Sequence, residues 1–366
     1  MLKKITRSML ACVLGFYALT PAIQAQEMDI AATDYRIQYQ GRINTDWQHQ
    51  QVTMNWPGSQ IAFQFEGRQV AIWLNGQGSQ FDLLINGERK QTIKTSWLMQ
   101  RYELLNTPHA NKVEIRLVKR TESPGSLVTI RGLETQGRVE GIWGYRPHIL
   151  FIGDSISAGY AAESNQRECT WQEIENSSNA RIAYPMLTAQ QLGATHSQVS
   201  YSGLGLLRNW EGNASHHNLT HYFDKAAAIY QGSTEYIDKM PQLIVLQAGN
   251  NDFSSDLQPG EPWTNPDQLQ KDWQAHYIAQ VNQLRQRYGQ HTPIIVVSTY
   301  IWPHDRLTKA VDAVEAHFAS INQPVHRFIL SASLEGCQWH PTASDHQSIA
   351  QALATLIESK HLLPAY

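Results

Sequence analysis

The chain has 366 residues and a formal net charge of -3, with 42% hydrophobic and 17% charged residues. This apolar content argues against a disordered protein, and the absence of a basic excess argues against a nucleic-acid-binding protein. The length favours two domains, and the 11 Trp and 15 Tyr residues suit packing in a core or stacking against sugars.

Residues 1–25 are predicted to be a signal peptide. Three basic residues precede an apolar run from Met9 to Leu19, and a stretch ending in small residues closes at Ala25. The run is too short to span a bilayer, and no later segment is long and apolar enough to do so. We therefore expect a secreted or periplasmic protein. Cys12 suggests a lipoprotein anchor as an alternative, but it lies inside the apolar run rather than after it.

Residues 27–140 are predicted to form an all-β domain. Short segments with period-2 alternation are separated by turn signals such as Asn75-Gly76, Asn86-Gly87 and Pro124-Gly125. Many short strands at close spacing favour a β-sandwich of the jelly-roll type. The predicted strands include 61–65, 70–74, 81–85 and 112–117.

A second domain is predicted over residues 146–366, after a boundary near Gly141 to Pro147. Apolar strands alternate there with helical patterns, which implies an α/β domain whose parallel sheet has helices on both faces. We predict helices at 271–288 and 344–360 and five strands at 148–152, 198–201, 243–246, 294–298 and 327–330. Functional sites in such sheets lie beyond the carboxyl ends of the strands.

Two short motifs follow the first two strands of this domain. The strand over 149–152 runs into Gly-Asp-Ser, which places Ser155 at a strand end and at the start of a predicted short helix. Its backbone N–H could stabilise an oxyanion there. Gly203 follows the second strand, and glycine allows the backbone to approach a substrate and direct an N–H toward it. Each motif alone is also compatible with a plain turn.

Two further motifs complete the set. Asn251 follows the third strand and could offer a side-chain amide to an oxyanion, whereas Asp252 is expected to hold its loop through backbone hydrogen bonds. His340 precedes the last helix and could act as the general base that takes the Ser155 proton. A structural turn and a solvated surface histidine are the alternatives. One site at the carboxyl edge of the sheet would collect all four motifs.

The order of these four motifs resembles that of the SGNH (GDSL-type) hydrolases. A preceding β-sandwich, the run Gly-Asn-Asn-Asp-Phe-Ser from Gly249 and the run Cys-x-Trp-His-Pro from Cys337 resemble carbohydrate esterase family two in particular. The resemblance implies an exported acetylxylan esterase with a jelly-roll domain and a three-layer α/β/α SGNH domain with a five-stranded parallel sheet. It implies Ser155 as nucleophile, His340 as base, and Gly203 and Asn251 as oxyanion-hole donors.

Three Trp residues are candidate substrate-binding groups. Trp339 matches a family Trp that helps to shape the pocket, and Trp210 falls where the family often has Tyr. Trp302, just after the fourth strand, is a further candidate for stacking on a sugar. Trp339 and Trp210 close to the nucleophile would leave a small acyl pocket, so we expect acetyl esters to be preferred over longer ones.

The region before His340 departs from the SGNH pattern. Many members place an Asp two or three residues before the His, whereas Cys337 and Gln338 stand there in this chain. We therefore predict a Ser–His dyad oriented by a backbone carbonyl or by a carboxylate from elsewhere. Export permits a disulfide between Cys337 and Cys169, which both lie near these motifs; two free buried thiols are the alternative.

No cofactor and no metal are expected. Nucleotide-binding glycine loops are absent, and His216, His217 and His221 lack the spacing of a common metal site, so a solvated loop is favoured there. The expected partner is an acetylated polysaccharide or oligosaccharide such as xylan or glucomannan, with no nucleic acid, no membrane and a monomeric state. The alternatives are an SGNH esterase or thioesterase for other acyl groups, and an inactive glycan-binding protein.

Overall fold

The computed structural model describes residues 29–123, 125–227, 234–236, 239–301 and 305–364. The predicted signal peptide and Trp302 lie outside these residues. The first part of the described chain is an antiparallel β domain, as predicted. Its strands are β1 (Ile30–Ala31), β2 (Gln38–Gln40), β3 (Ile43–Asp46), β4 (Gln51–Met54), β5 (Gln60–Asn75), β6 (Gln80–Ile85), β7 (Glu88–Lys94), β8 (Gln100–Lys119) and β9 (Val128–Glu140).

The β domain is built around two long strands. Across the sheet the strands lie in the order β3-β4-β9-β5-β8-β6-β7, and β1 pairs with β9 and β2 with β5. The segments 61–65 and 70–74 were predicted as separate strands, but they are the two halves of β5, and the pairing register shifts between Gly67 and Gln69. An irregularity of this kind bends a strand without ending it. The inward side chains of β5 and β8, including Phe63 and Ile115, form the core of this domain.

The second domain contains a five-stranded parallel sheet, which confirms the predicted three-layer α/β/α class. Its strands are β10 (His148–Gly153), β11 (Thr195–Ser200), β12 (Leu243–Gln247), β13 (Ile294–Thr299) and β14 (His326–Leu330). They order as β11-β10-β12-β13-β14. The three central strands β10, β12 and β13 are buried along their whole length and rich in apolar residues, as parallel strands covered on both faces require, whereas the edge strands β11 and β14 contain polar residues.

Helices cover both faces of this sheet. They are α1 (Ser155–Ala158), α2 (Trp171–Ser177), α3 (Tyr184–Gln191), α4 (Leu219–Tyr222), α5 (Asn250–Phe253), α6 (Pro266–Tyr288), α7 (Arg306–Ser320) and α8 (Ala343–Ser359). Side chains of α6 and α7 pack with Leu150 and Leu246 on one face. Side chains of α3 and α8 pack with Phe151 and Val245 on the other. Helix α6 begins earlier than predicted because Asn265 caps it and Pro266 occupies its first turn.

The two domains share a packed boundary. Trp56, which follows β4, is fully buried in the core of the second domain and contacts Tyr222 edge to face. Buried Asp82 of β6 pairs with Arg120 of its own domain and with Arg181 of the second domain. Arg120 also pairs with Glu163 at 2.6 Å. Burial and paired charge therefore fix the β domain against three parts of the second domain, which are helix α4, the residues just before α3 and the loop that follows α1.

Candidate active site

The strand order of the parallel sheet places the site at its switch point. Chain connections leave β10 in opposite directions toward β11 and β12, which creates a crevice at the carboxyl ends of these strands. Ser155 follows β10, Gly203 follows β11 and Asn251 lies in α5 after β12. The three residues that were predicted on separate loops therefore come from three adjacent strand ends.

Ser155 and His340 are joined by a hydrogen bond. His340 Nε2 lies 2.8 Å from Ser155 Oγ, although the two residues are 185 positions apart in the chain. His340 Nδ1 lies 3.0 Å from the carbonyl oxygen of Cys337 and 3.1 Å from that of Gln338. A carbonyl oxygen can only accept, so Nδ1 carries the proton and Nε2 is free to accept the Ser155 hydroxyl proton.

Among the residues that the structure describes, no carboxylate is hydrogen-bonded to His340. Asp345, the nearest acidic residue after it in sequence, instead accepts hydrogen bonds from Ser333 and Thr342 at the start of α8. Burial of the imidazole lowers the pKa of His340 below its ordinary value of 6.5, while its hydrogen bonds to the backbone carbonyls of Cys337 and Gln338 act in the opposite direction. The imidazole is therefore neutral, and able to accept a proton, at neutral pH.

The segment before His340 has an unusual backbone. Gln338 and Trp339 have φ values of +50° and +57° in the left-handed region, which non-glycine residues adopt at a cost. The Gln338 N–H donates to the carbonyl oxygen of Arg167, and Tyr160 Oη donates to Gln338 Oε1 at 2.9 Å. A disulfide joins Cys337 to Cys169, whose loop also contains Arg167. These contacts hold the segment in the conformation that exposes its carbonyl groups to His340.

Asp154 connects the Ser155 loop to the loop after β12. Its carboxylate accepts hydrogen bonds from the Ile156 N–H, from Gln247 Nε2 at 2.8 Å and from Asn250 Nδ2 at 3.0 Å. Burial raises the pKa of the Asp154 carboxyl to about 7, against the lowering effect of these three donors. The carboxylate caps α1, so the Ser155 N–H stands at the positive end of that short helix.

Asp252 organises a loop through backbone hydrogen bonds, but that loop is the neighbouring one that contains Gly203 and not its own. Its carboxylate accepts the backbone N–H groups of Leu206, Leu207 and Arg208 at 2.8 to 2.9 Å. Asn251 Nδ2 donates to the carbonyl oxygen of Leu204 at 2.8 Å, which leaves the second N–H of that amide for another acceptor. Because of these bonds, the loops after β11 and β12 form one connected unit.

Gly203 occupies a position that suits glycine. Its φ is +80°, and a Cβ added there would meet no atom within 4 Å. The Gly203 carbonyl accepts the Trp210 N–H at 3.0 Å. Within the described chain, no hydrogen-bond acceptor is found for the backbone N–H of either Gly203 or Ser155. Both amides can therefore serve an acceptor that the protein does not supply, which is what an oxyanion hole requires.

Two of the predicted aromatic residues lie on the surface around these loops. Trp339, next to His340, is 63% exposed, and Trp210, bonded through its backbone to Gly203, is 47% exposed. Sequence reasoning missed Tyr160, whose ring packs against the His340 ring at a tilt of 38°, with 4.5 Å between the ring centres. It also missed Gln247, which bonds to Asp154. Their positions in turns and strand ends give no periodic signal.

Among the described residues, no group of three or more His, Cys, Asp or Glu side chains could hold a metal ion. In the same part of the chain, no helix combines the length and apolar character needed to cross a membrane. His217 and His221 contact each other edge to face, with 5.3 Å between their ring centres.

The fold and the site define an α/β ester hydrolase. The chain belongs to the GDSL-like lipase/acylhydrolase family, whose model matches residues 149–353. Residues 39–140 match the model of the carbohydrate esterase 2 N-terminal domain. The two matches together confirm the predicted family two arrangement of a β domain followed by an SGNH-type hydrolase domain.

Similar proteins have the same two-domain design. An acetylxylan esterase/glucomannan deacetylase from Cellvibrio japonicus is 28% identical over 260 residues, which are 68% of this chain and 70% of that protein. The structure of a family two carbohydrate esterase from Clostridium thermocellum in complex with cellohexaose superposes with a TM-score of 0.78 at 22% identity, over 89% of this chain and 100% of that one. The structure of a family two carbohydrate esterase from Cellvibrio japonicus superposes with a TM-score of 0.75 at 24% sequence identity. The match covers 92% of this chain and 98% of that one.

Proposed function

We propose that this carboxylic ester hydrolase is an exported O-acetyl esterase that removes acetyl groups from plant cell-wall polysaccharides. The observation that carries the proposal is the 2.8 Å hydrogen bond between Ser155 Oγ and His340 Nε2, with His340 Nδ1 held by backbone carbonyls. A nucleophile bonded to a base that a third group orients is the arrangement of nucleophilic acyl transfer. The naming of a relative as an acetylxylan esterase/glucomannan deacetylase supports the substrate class.

The reaction proceeds in two halves. Ser155 Oγ attacks the acetyl carbonyl carbon while His340 Nε2 takes the hydroxyl proton. The resulting oxyanion faces the N–H groups of Ser155 and Gly203 and the free amide N–H of Asn251. The C–O bond to the sugar then breaks, and His340 returns the proton to the leaving sugar oxygen. His340 next takes a proton from a water, whose oxygen attacks acetyl-Ser155, and it returns that proton to Ser155 Oγ as acetate is released.

Export is supported by the sequence of residues 1–25 and by the disulfide, because such bonds persist in oxidising compartments. The substrate would bind as an acetylated xylan or glucomannan chain, with Trp210 and Trp339 as exposed rings beside the site. We place Trp302 with them on sequence position alone. We propose that the enzyme acts as a monomer, which light scattering on the purified protein would test.

The test is acetate release from defined acetylated xylo- and manno-oligosaccharides, followed by NMR. We expect wild type to release acetate and Ser155→Ala to release none above background. Ser348→Ala is the matched control, because its exposed hydroxyl donates to the Ser344 carbonyl within α8 and, among the described residues, to nothing else. Absence of acetate release by wild type would favour the glycan-binding alternative, and equal rates on acetyl and octanoyl esters would contradict the small acyl pocket.

A further inference from the structure

The segment that follows β8 in the β domain enters the boundary with the hydrolase domain. Lys119, Arg120, Thr121 and Ser123 are all buried there. The Arg120 carbonyl accepts the Ala180 N–H of the hydrolase domain at 2.9 Å. The Arg120 guanidinium is fixed at the same time by its ion pairs with acidic groups of both domains. The backbone around position 122 is therefore held firmly against the hydrolase domain.

Glu122 lies in this segment and accepts two hydrogen bonds from Ser202. Glu122 Oε2 accepts the Ser202 backbone N–H at 2.6 Å, and Glu122 Oε1 accepts the Ser202 hydroxyl. The two residues come from different domains and are 80 positions apart. Both carboxylate oxygens of Glu122 therefore accept hydrogen bonds from the same residue, Ser202, which directly precedes Gly203.

This contact bears on the direction of the Gly203 N–H. That N–H belongs to the peptide unit between Ser202 and Gly203, so its direction depends on the backbone torsions of Ser202. Glu122 fixes the backbone and the side chain of Ser202 on one side, and the bond from the Trp210 N–H fixes the Gly203 carbonyl on the other. A glycine at φ +80°, with open space where a Cβ would stand, has no side chain of its own to restrain it.

We propose that Glu122 is a positioning residue that aims the Gly203 N–H at the reacting carbonyl oxygen, so that the β domain completes the oxyanion hole. This role rests on the proposed esterase function. It gives the β domain a part in the reaction that is separate from any binding of glycan. Glu122 touches neither the substrate nor the reacting atoms; it acts through Ser202.

Two substitutions of Glu122 separate the effect of its hydrogen bonds to Ser202 from the effect of its negative charge. A glutamine at this position keeps the shape of the side chain, accepts the Ser202 N–H through Oε1 and donates to the Ser202 hydroxyl through Nε2. Glu122→Gln therefore keeps two hydrogen bonds to Ser202 without the negative charge, whereas Glu122→Ala removes both hydrogen bonds. Burial lowers the pKa of the nearby Lys119 to about 7, and the charge of Glu122 opposes that lowering. Both variants remove this charge, so they differ from each other only in the contact with Ser202.

The experiment measures kcat and KM on 4-nitrophenyl acetate and the melting temperature for wild type, Glu122→Ala, Glu122→Gln and Ser202→Ala. Removing an oxyanion donor outright costs ~10²–10³ in kcat, so we expect misdirecting one in Glu122→Ala to cost about 10- to 30-fold. KM should change little, and Glu122→Gln should recover most of the loss. Ser202→Ala, which retains the N–H contact, should show a smaller fall in kcat, and it reports on the same contact if Glu122→Ala does not fold.

Glu134→Ala is the matched control. Glu134 is also a carboxylate of the β domain that accepts two hydrogen bonds, from Trp73 Nε1 and Arg101 Nε, but both partners belong to that domain. It should leave kcat unchanged and lower the melting temperature only slightly, because the Glu134 side chain is 37% exposed. Wild-type kcat in Glu122→Ala, equal losses in the Ala and Gln variants, or a loss confined to KM would each overturn the role of Glu122 alone. Failure of wild type to hydrolyse the ester would overturn the esterase function and this role together.

Discussion

His340 Nδ1 lies 3.0 Å from the backbone carbonyl oxygen of Cys337, so a main-chain dipole occupies the place that a carboxylate holds in a Ser–His–Asp triad. The carbonyl fixes the tautomer of the imidazole as a carboxylate would. It brings no negative charge, however, and therefore stabilises the protonated imidazolium less. The predicted behaviour of the site follows from this difference.

The pH dependence of the reaction should reflect the buried, carbonyl-bonded imidazole. Burial lowers the pKa of His340 below 6.5, and the base must be neutral to take the Ser155 proton. As pH falls, kcat/KM should therefore stay at its plateau down to the lowered pKa and decline only below it. A profile of kcat/KM against pH on 4-nitrophenyl acetate should place the midpoint of the acidic limb below 6.5. A midpoint at or above 7 would contradict the account and indicate an anionic partner.

The disulfide should support both stability and activity. It joins the Cys169 loop to Cys337, whose carbonyl orients His340. Loss of a native disulfide costs about 2–5 kcal/mol, so a reductant should lower the melting temperature and kcat of wild type. The double variant Cys169→Ser/Cys337→Ser should show both losses and should not respond to reductant. Unchanged melting and kcat in reduced wild type would show that the His340 segment does not depend on the bond.

Replacing Asp154 by asparagine should disrupt the link between the loops after β10 and β12. Asp154 Oδ2 accepts from two side-chain amides, Gln247 Nε2 and Asn250 Nδ2, and an asparagine amide placed there would oppose donor to donor. An unsatisfied buried polar group costs about 1–3 kcal/mol, so the free energy of unfolding should fall by that amount, and kcat should fall with it.

Asp312→Asn provides the comparison for Asp154→Asn. Its carboxylate is 58% exposed and pairs with Arg327. An exposed pair contributes about 0–1 kcal/mol, so denaturant unfolding should barely detect its loss. An equal loss in the free energy of unfolding for the two variants would show that the Asp154 hydrogen bonds contribute no more to stability than the exposed Asp312 pair.

Tyr160 should act on His340 mainly through its ring. The ring packs against the imidazole at a tilt, and the hydroxyl donates to Gln338 Oε1 at 2.9 Å. Tyr160→Phe keeps the ring contact and loses one hydrogen bond worth about 0.5–1.5 kcal/mol, so kcat should fall by less than about 10-fold. Tyr160→Leu loses both the ring contact and the hydrogen bond, so its kcat should fall further. Equal kcat values for the two variants would contradict the importance of the ring.

The presence of the five parallel strands and of the four motifs was predictable because each is local in sequence. All five predicted strands of the second domain are present, since continuous apolar runs such as 294–297 are specific for buried parallel strands. The contacts of Glu122 with Ser202 and of Tyr160 with Gln338 were not predictable. They join residues 80 and 178 positions apart, and neither pair produces a periodic pattern. The merging of two predicted strands into β5 depends on a register shift that only the paired strands reveal.

The interaction of Ser155 with His340 can be tested most directly by a double-mutant cycle. Hydrolysis of 4-nitrophenyl acetate should be compared among wild type, Ser155→Ala, His340→Ala, the double variant and the control His276→Ala, an exposed histidine of α6. Residues that act as one unit are strongly non-additive, so each single variant should lose more than about 10³-fold in kcat and the double variant should lose no more. Retention of more than a tenth of wild-type kcat by His340→Ala, or a double variant whose loss equals the product of the two single losses, would contradict the dyad.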